Sequence, residues 1–445
     1  MITRRSFTVP LHRRSVLAGL AGTILGTAQG RAQPTDATRP TIPLTLRARP
    51  VRRALRAGGP DSELWVLERV DTAGQPAFRR GDTVAVTFQN ELPVPAVLNW
   101  YGLDGAPDAE PLLTRGPVAP GGHETITLRL THAGTLLCDA RLLGDGQARA
   151  TGALALIVGE DGLSADRDEV LLIEDWRLRA DGGAVAPGAA SEAAAPIHTI
   201  NAHSLRDIPL RPNQRIRFRF INGCQRNVIA LKIETHDVRV MAIDSRPAEP
   251  FLARDGQLML APGTRIDAII DATVAPGSSA QILLHDGSNT LPIARLVTSG
   301  EPVRAAPLPT PSALPSNGLP DQIDLRNALR VDLAIDRAAE ANWIAAAQFS
   351  PATAPAFRVK RNRAVVLALT NRATVPATFH LHGHHFRLLD RLDDGWKPFW
   401  LDTLVVGPDQ THRVAFRAET AGRWLLESMA ADWNAPRLVR HYVVE

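Results

Sequence analysis

His380 and His382 are the residues of this chain whose type and spacing best suit chemistry. They lie in the run Phe379-His380-Leu381-His382-Gly383-His384-His385-Phe386. Residues two apart on a β-strand project from the same face, so a strand here offers two imidazoles to neighbouring metal ions. Other chemical signatures are absent: there is no Gly-x-Ser-x-Gly elbow, no phosphate-binding loop and no Gly-x-Gly-x-x-Gly. Methionine is confined to Met1, Met241, Met259 and Met429, which excludes a Met-rich surface for cuprous ions.

The elements that must position these histidines read as strands. Val84–Phe88, Glu124–Leu130, Leu154–Val158, Val170–Ile173, Arg215–Ile221, Val228–Glu234, Arg265–Ile270, Gln281–Leu284, Val365–Leu369 and Thr411–Phe416 are short β-rich runs bounded by Gly, Pro, Asn or Asp. One layout occurs three times. Arg79-Arg80-Gly81-Asp82-Thr83 leads through a strand to Asn90, Arg211-Pro212-Asn213-Gln214-Arg215 leads to Asn222, and Val359-Lys360-Arg361-Asn362-Arg363 leads to Asn371. Each copy then reaches a turn, at Pro120-Gly121, Pro262-Gly263 or Gly407-Pro408. A spacing of roughly 140 residues is too long for a solenoid and indicates tandem all-β domains. The Pro-rich segment Pro302–Pro320 reads as an extended linker, and the Ala/Gly/Pro stretch Ala180–Pro196 as a surface loop.

At 445 residues the chain exceeds one hydrophobic core, with about three domains as the prior. The formal charge of +4 resides in the first 32 residues, where Arg4, Arg5, Arg13, Arg14 and Arg31 stand without an acid; removing them leaves −1. A nearly neutral remainder gives no charge-based case for nucleic acid or an anionic membrane as partner. The twin arginines, the apolar Val16–Gly26 and the small residues around Ala28–Ala32 form a signal peptide of the twin-arginine type; the alternative is an amino-terminal anchor helix. Beyond it no apolar run is long enough to cross a bilayer as a helix.

The His-Leu-His-Gly-His run resembles the carboxy-terminal signature of multicopper oxidases, a family of Greek-key cupredoxin proteins. The resemblance extends from about residue 45 to residue 445, through Trp176 in Glu174-Asp175-Trp176-Arg177, His236-Asp237, Asp244 and Phe379–Leu389. It implies a mononuclear copper held by Cys and two His, which passes electrons to a trinuclear cluster held by four His-x-His pairs. This chain departs from that pattern at most ligand positions. The first pair, His-Trp-His-Gly in the family, is Asn99-Trp100-Tyr101-Gly102, and the second aligns with Asp139 and Arg141, which suit a salt bridge better than a copper site. The third pair, His380 and His382, remains. The last ligand strand aligns as Glu427, Ser428 and Met429, followed by Trp433 and Leu438, and the other mononuclear His is Ala377. No histidine lies between His412 and His441, so sliding the alignment does not restore the fourth pair.

The resemblance therefore implies an all-β protein of three tandem Greek-key cupredoxin-like domains: residues 1–32 leader, 40–160 first domain, 161–300 second, 301–322 linker and 323–445 third. The primary expectation is an exported, non-catalytic relative similar to the copper-less multicopper-oxidase-like proteins of bacterial cell division, with no cofactor, a periplasmic location and a cell-envelope protein as partner. The alternatives are a divergent copper-dependent oxidase, a residual copper or zinc site where His380, His382, Asp139 and Glu427 converge, and a small-molecule binder. His384 and His385 read as structural, and His198, His203, His236 and His285 lack ligand spacing. Cys138 and Cys224 are either a disulfide, as laccases tie their first two domains, or two buried thiols; Cys138 falls several residues before the laccase position.

Overall fold

Strand formation follows the alternation in the sequence. Thr83–Asn90 buries every second residue, whereas Arg215–Asn222 and Ala377–Leu381 are buried on both faces. In the computed structural model, which describes residues 40–70, 77–160, 162–189, 196–336, 342–389 and 397–445, the strands assemble into six sheets. Each third of the chain supplies two of them. The expected all-β architecture is the one observed, and no described helix is long and apolar enough to cross a membrane.

The threefold layout is structural. In each third a strand lies parallel to the strand that follows the basic turn: Ile42–Ala54 beside Thr83–Asn90, Arg167–Leu178 beside Arg215–Asn222, and Leu329–Ala334 beside Ala364–Asn371. The Asn ending each second strand closes the next loop in the same way. Asn90 Nδ2 donates to the carbonyls of Val94 and Val118, Asn222 Nδ2 to those of Asn227 and Leu260, and Asn371 Nδ2 to those of Val375 and Val406. The Oδ1 atoms accept from the amides of Leu92, Cys224 and Ala373. A buried amide side chain that satisfies three backbone groups holds a loop where no ladder reaches.

Apolar clusters join the thirds as well as filling them. Tyr101, Leu137 and Ala153 pack with Leu172 and Ile221, while Val97 and Leu142 pack with Leu425 and Val439. The Pro-rich segment carries no strand but is tied down: Leu314 is buried against Met241 and Ile269, Asn317 donates to the carbonyls of Ala133 and Ser245, and Arg215 donates to those of Leu308 and Pro309.

One expectation is revised and one open alternative is decided. Ala180–Pro196 is not simply a surface loop, because Ala184–Val185 pairs with Arg177–Leu178 and Ala184 packs beside Leu64 and Trp176; residues 190–195 lie outside the described set. Cys138 and Cys224 form no disulfide: both are buried free thiols, Cys138 in the cluster around Trp100 and Cys224 in the one around Ile173. The leader expected over residues 1–32 also lies outside the described residues.

Candidate functional site

The strand Ala377–Leu381 is internal to its sheet, between the edge strand Thr403–Val406 and Gly422–Ala430. This register sets His380 directly opposite Glu427 and Phe379 opposite Ser428. Beyond the strand end, Gly383 turns the chain at φ +73°, where a Cβ would lie 2.1 Å from the Trp424 ring, so only glycine fits this turn against Trp424. The two imidazole centroids are 4.5 Å apart.

Glu427, wholly buried, is the hub. Its Oε1 accepts from Asn99 Nδ2 at 2.8 Å and from His382 Nε2 at 2.7 Å, and lies 3.3 Å from His380 Nδ1. Its Oε2 accepts from Arg437 Nη1 at 3.2 Å. The other ring nitrogen of His382 is 2.9 Å from Glu110 Oε1, which also accepts from the Leu425 amide at 2.8 Å. Tyr101 stacks on His380 with centroids 4.1 Å apart. Burial disfavours charge on His382, but Glu110 and Glu427 outweigh it and raise its pKa to about 10. Burial, and then the charge of His382, push His380 down, so one imidazole is cationic and the other neutral at pH 7. Glu427 is pressed well below the usual carboxylate range, because Arg437 and the two histidines overcome the cost of its burial.

The remaining aligned positions lie apart from this hub. Asp139 pairs with Arg141 at 2.9 Å, as expected of an acid and a base two apart, and Arg141 reaches the Gly223 carbonyl at 2.6 Å. Asp139 therefore does not join His380, His382 and Glu427, whose ligand atoms alone fall within 4.8 Å of one another. Ala377 faces Val406 and Ala430, Ser428 Oγ donates to the Ile335 carbonyl, Met429 is buried opposite Thr378, and Leu438 lies opposite Ser428. Trp433 is buried under the Arg177 guanidinium, 4.7 Å from its ring. His384 accepts or donates at the Tyr442 hydroxyl, 2.7 Å away, and burial lowers its pKa to about 4. His385 bonds Asp104 at 2.7 Å and the Asp244 carbonyl at 2.6 Å.

Sequence reasoning missed Glu110 and Arg437, and it missed a second buried knot. Arg265 donates to both oxygens of Asp402 at 2.9 and 2.8 Å, and Asp402 accepts the Gly102 amide at 2.7 Å, which joins all three thirds of the chain. Burial and then the neighbouring Asp402 raise Asp244 to about 7, while Arg265 holds Asp402 low against its own burial. The space between Trp100, Glu110, His380, His382, Asp402 and Trp424 is about 10 Å³. A wider cavity of about 250 Å³, next to Asp104, Arg246, His384, His385 and Trp400, lies beside it.

Multicopper oxidase profiles match residues 167–280 and 323–445. The chain belongs to the multicopper oxidase family. It is 24% identical over 454 residues to the multicopper oxidase MmcO of Mycobacterium tuberculosis, covering 88% of this chain and 85% of that protein. Laccase-3 of Oryza sativa subsp. japonica is 26% identical over 223 residues, covering 44% of this chain and 38% of that protein. Among solved structures, a multi-copper oxidase from Pseudomonas Thermotolerans superposes with a TM-score of 0.74 at 24% identity, covering 91% of this chain and 99% of that one. Lac15 from a marine microbial metagenome gives 0.73 at 23% identity, covering 90% and 99%. The likeness to these structures establishes the shared fold.

Proposed function

We propose that this protein is a copper-free, non-catalytic member of its family, exported by the twin-arginine route, that serves the cell envelope as a rigid scaffold for another periplasmic protein. The observation that carries this reading is the closed set of contacts around Glu427. The positions at which the family places copper ligands supply Asn99 and Glu427, which bond to each other, and Tyr101, which stacks on His380, while nearby Arg437 bonds Glu427. Both nitrogens of His382 face carboxylates, so the ring is held as a cation instead of a free ligand. A cavity of about 10 Å³ is one water at most, which does not fit a cluster of three copper ions.

The mononuclear position fits no better. Redox-active copper of this kind needs a thiolate beside imidazole, and the aligned residue is Ser428, whose hydroxyl is already engaged with Ile335. The second reading, one divalent ion at His380, His382 and Glu427, is favoured only by the convergence of those three groups.

The test is the metal content of the purified mature protein after loading with copper and zinc, with oxygen consumption measured on a phenolic donor. The expected result is less than one bound ion per chain and no oxygen uptake. Stoichiometric copper with oxidation of the donor overturns the proposal, and one tightly held zinc with no oxidation replaces it by the second reading.

A further inference from the structure

Arg246 is 4% exposed and lines the cavity of about 250 Å³ beside the hub. A guanidinium carries five N–H donors and no acceptor, yet this one meets a single carboxylate, Asp104, which accepts from its Nη2. His385 Nδ1 lies 3.4 Å from Arg246 Nε, but it is 2.7 Å from the Asp104 carboxylate, which can only accept, so it donates there. Arg246 Nη1 has no partner among the described residues. Asp104 cannot serve it further. Burial raises the Asp104 carboxyl, but His385 and then Arg246 outweigh that and hold it well below the usual carboxylate range, with both oxygens engaged. A buried donor without an acceptor is costly, so the inner end of the cavity calls for an acceptor from outside the chain.

The other walls suit a small guest that is partly apolar. Leu319, Pro320 and Trp400 line one side, and Trp400 and Leu319 belong to one apolar cluster. Asn317 ties this part of the linker to the Ala133 and Ser245 carbonyls, so the wall is in place without a ligand. His384 adds no donor. Its Nδ1 donates to the Tyr442 hydroxyl, which itself donates to the His382 carbonyl, and its Nε2 faces the Thr420 amide at 3.4 Å. Arg417 and Glu419, 3.9 Å apart and each nearly half exposed, mark the mouth. A dianion would meet two carboxylates, Asp104 and Glu419, in the same walls. A monocarboxylate on an apolar body meets the free guanidinium edge and the hydrocarbon side together.

We infer that the cavity binds a small organic carboxylate, its carboxylate on Arg246 Nη1, its apolar body against Trp400 and Leu319, and Arg417 at the entrance. The site goes beyond the scaffold reading and does not rest on it. All three parts of the chain and the linker contribute walls, through Asp104, Arg246, Leu319 and Trp400. A bound guest therefore stabilises their junction by mass action.

The test is calorimetric titration of the intact mature protein with sodium benzoate. Benzamide has the same shape without the charge, sodium sulfate supplies a dianion, and phenylalanine adds an amine. The wild type binds benzoate, binds benzamide at least tenfold more weakly, and does not exchange benzoate for equimolar sulfate. Asp104→Asn with Arg246→Met removes both members of the pair, so no buried charge is stranded; benzoate weakens tenfold or more and benzamide is unchanged. Arg417→Gln, at the exposed mouth, keeps the urea midpoint and weakens benzoate about threefold, which decides the matter if the double variant does not fold. Phenylalanine binding more tightly than benzoate, and losing that gain in Glu419→Gln, supports an amino acid as the guest; weaker binding supports a simple carboxylate. No benzoate binding, equal binding of benzamide, displacement by sulfate, or unchanged affinity in either variant overturns the inference. These titrations involve no metal, so their failure leaves the copper-free scaffold reading untouched.

Discussion

Changing Glu427 to Gln is the sharpest perturbation of the buried hub. The amide preserves size and one acceptor, so no cavity forms, but the charge that two cations share is lost. At an effective dielectric of about 20, a unit pair 3.2 Å apart, the Glu427–Arg437 separation, is worth about 5 kcal/mol. The imidazolium of His382, closer at 2.7 Å, adds a similar attraction. Against these stands the burial penalty of the carboxylate, which the amide no longer incurs. Glu110 continues to hold His382, whereas the Arg437 guanidinium, 1% exposed, loses its partner at the hub. Removing one member of a buried pair costs about 3–5 kcal/mol, and the retained Glu110 contact places Glu427→Gln near 3. Urea unfolding at pH 7 reads the loss as a lower midpoint at constant slope. Pairing Glu427→Gln with Arg437→Met recovers most of it, because the stranded charge is then gone. A single variant within about 1 kcal/mol of the wild type would falsify the hub.

Two further outcomes are expected. His382 has its pKa raised from 6.5 to about 10; its contribution to stability is complete below pH 6.5, shrinks as pH rises and is gone above pH 10. The urea midpoint of the wild type should therefore fall between pH 7 and pH 10 more steeply than that of His382→Gln, and parallel profiles would contradict the assignment of the cation. For export, replacing Arg4, Arg5, Arg13 and Arg14 together by Lys should retain precursor in the cytoplasm, read by fractionation; normal periplasmic yield would exclude the twin-arginine route.

The features legible in the sequence were those with a local physical cause. The recurring Asn after a strand announced itself because one side chain must satisfy three backbone groups at that point in every repeat. His380 and His382 were legible because strand alternation fixes their shared direction. Asp139 and Arg141 were legible as a salt bridge for the same reason. Glu110 was not. It follows a short turn at Pro107–Ala109 with no periodic signal, and it meets its partner Leu425 across 315 residues. Arg437 lies between the aligned positions Trp433 and Leu438 and has no ligand spacing of its own. The expected convergence of Asp139 with the histidines failed because Arg141, two residues away, is the nearer counter-charge.

Glu110 also bears on whether the hub admits a metal. A histidine ligates through a lone pair, and His382 has both ring nitrogens directed at carboxylate oxygens. To bind an ion at pH 7 it must first release a proton held with a pKa of about 10. That release costs about 4 kcal/mol, or roughly a thousandfold in affinity. His380 is neutral but is stacked under Tyr101 and directed at Glu427 Oε1, which Asn99 and His382 already occupy. The groups that converge at the hub thus neutralise one another. The cationic charge an ion would bring between strands of the first and third parts of the chain is supplied by His382 and Arg437, which fits a fold retained for its shape.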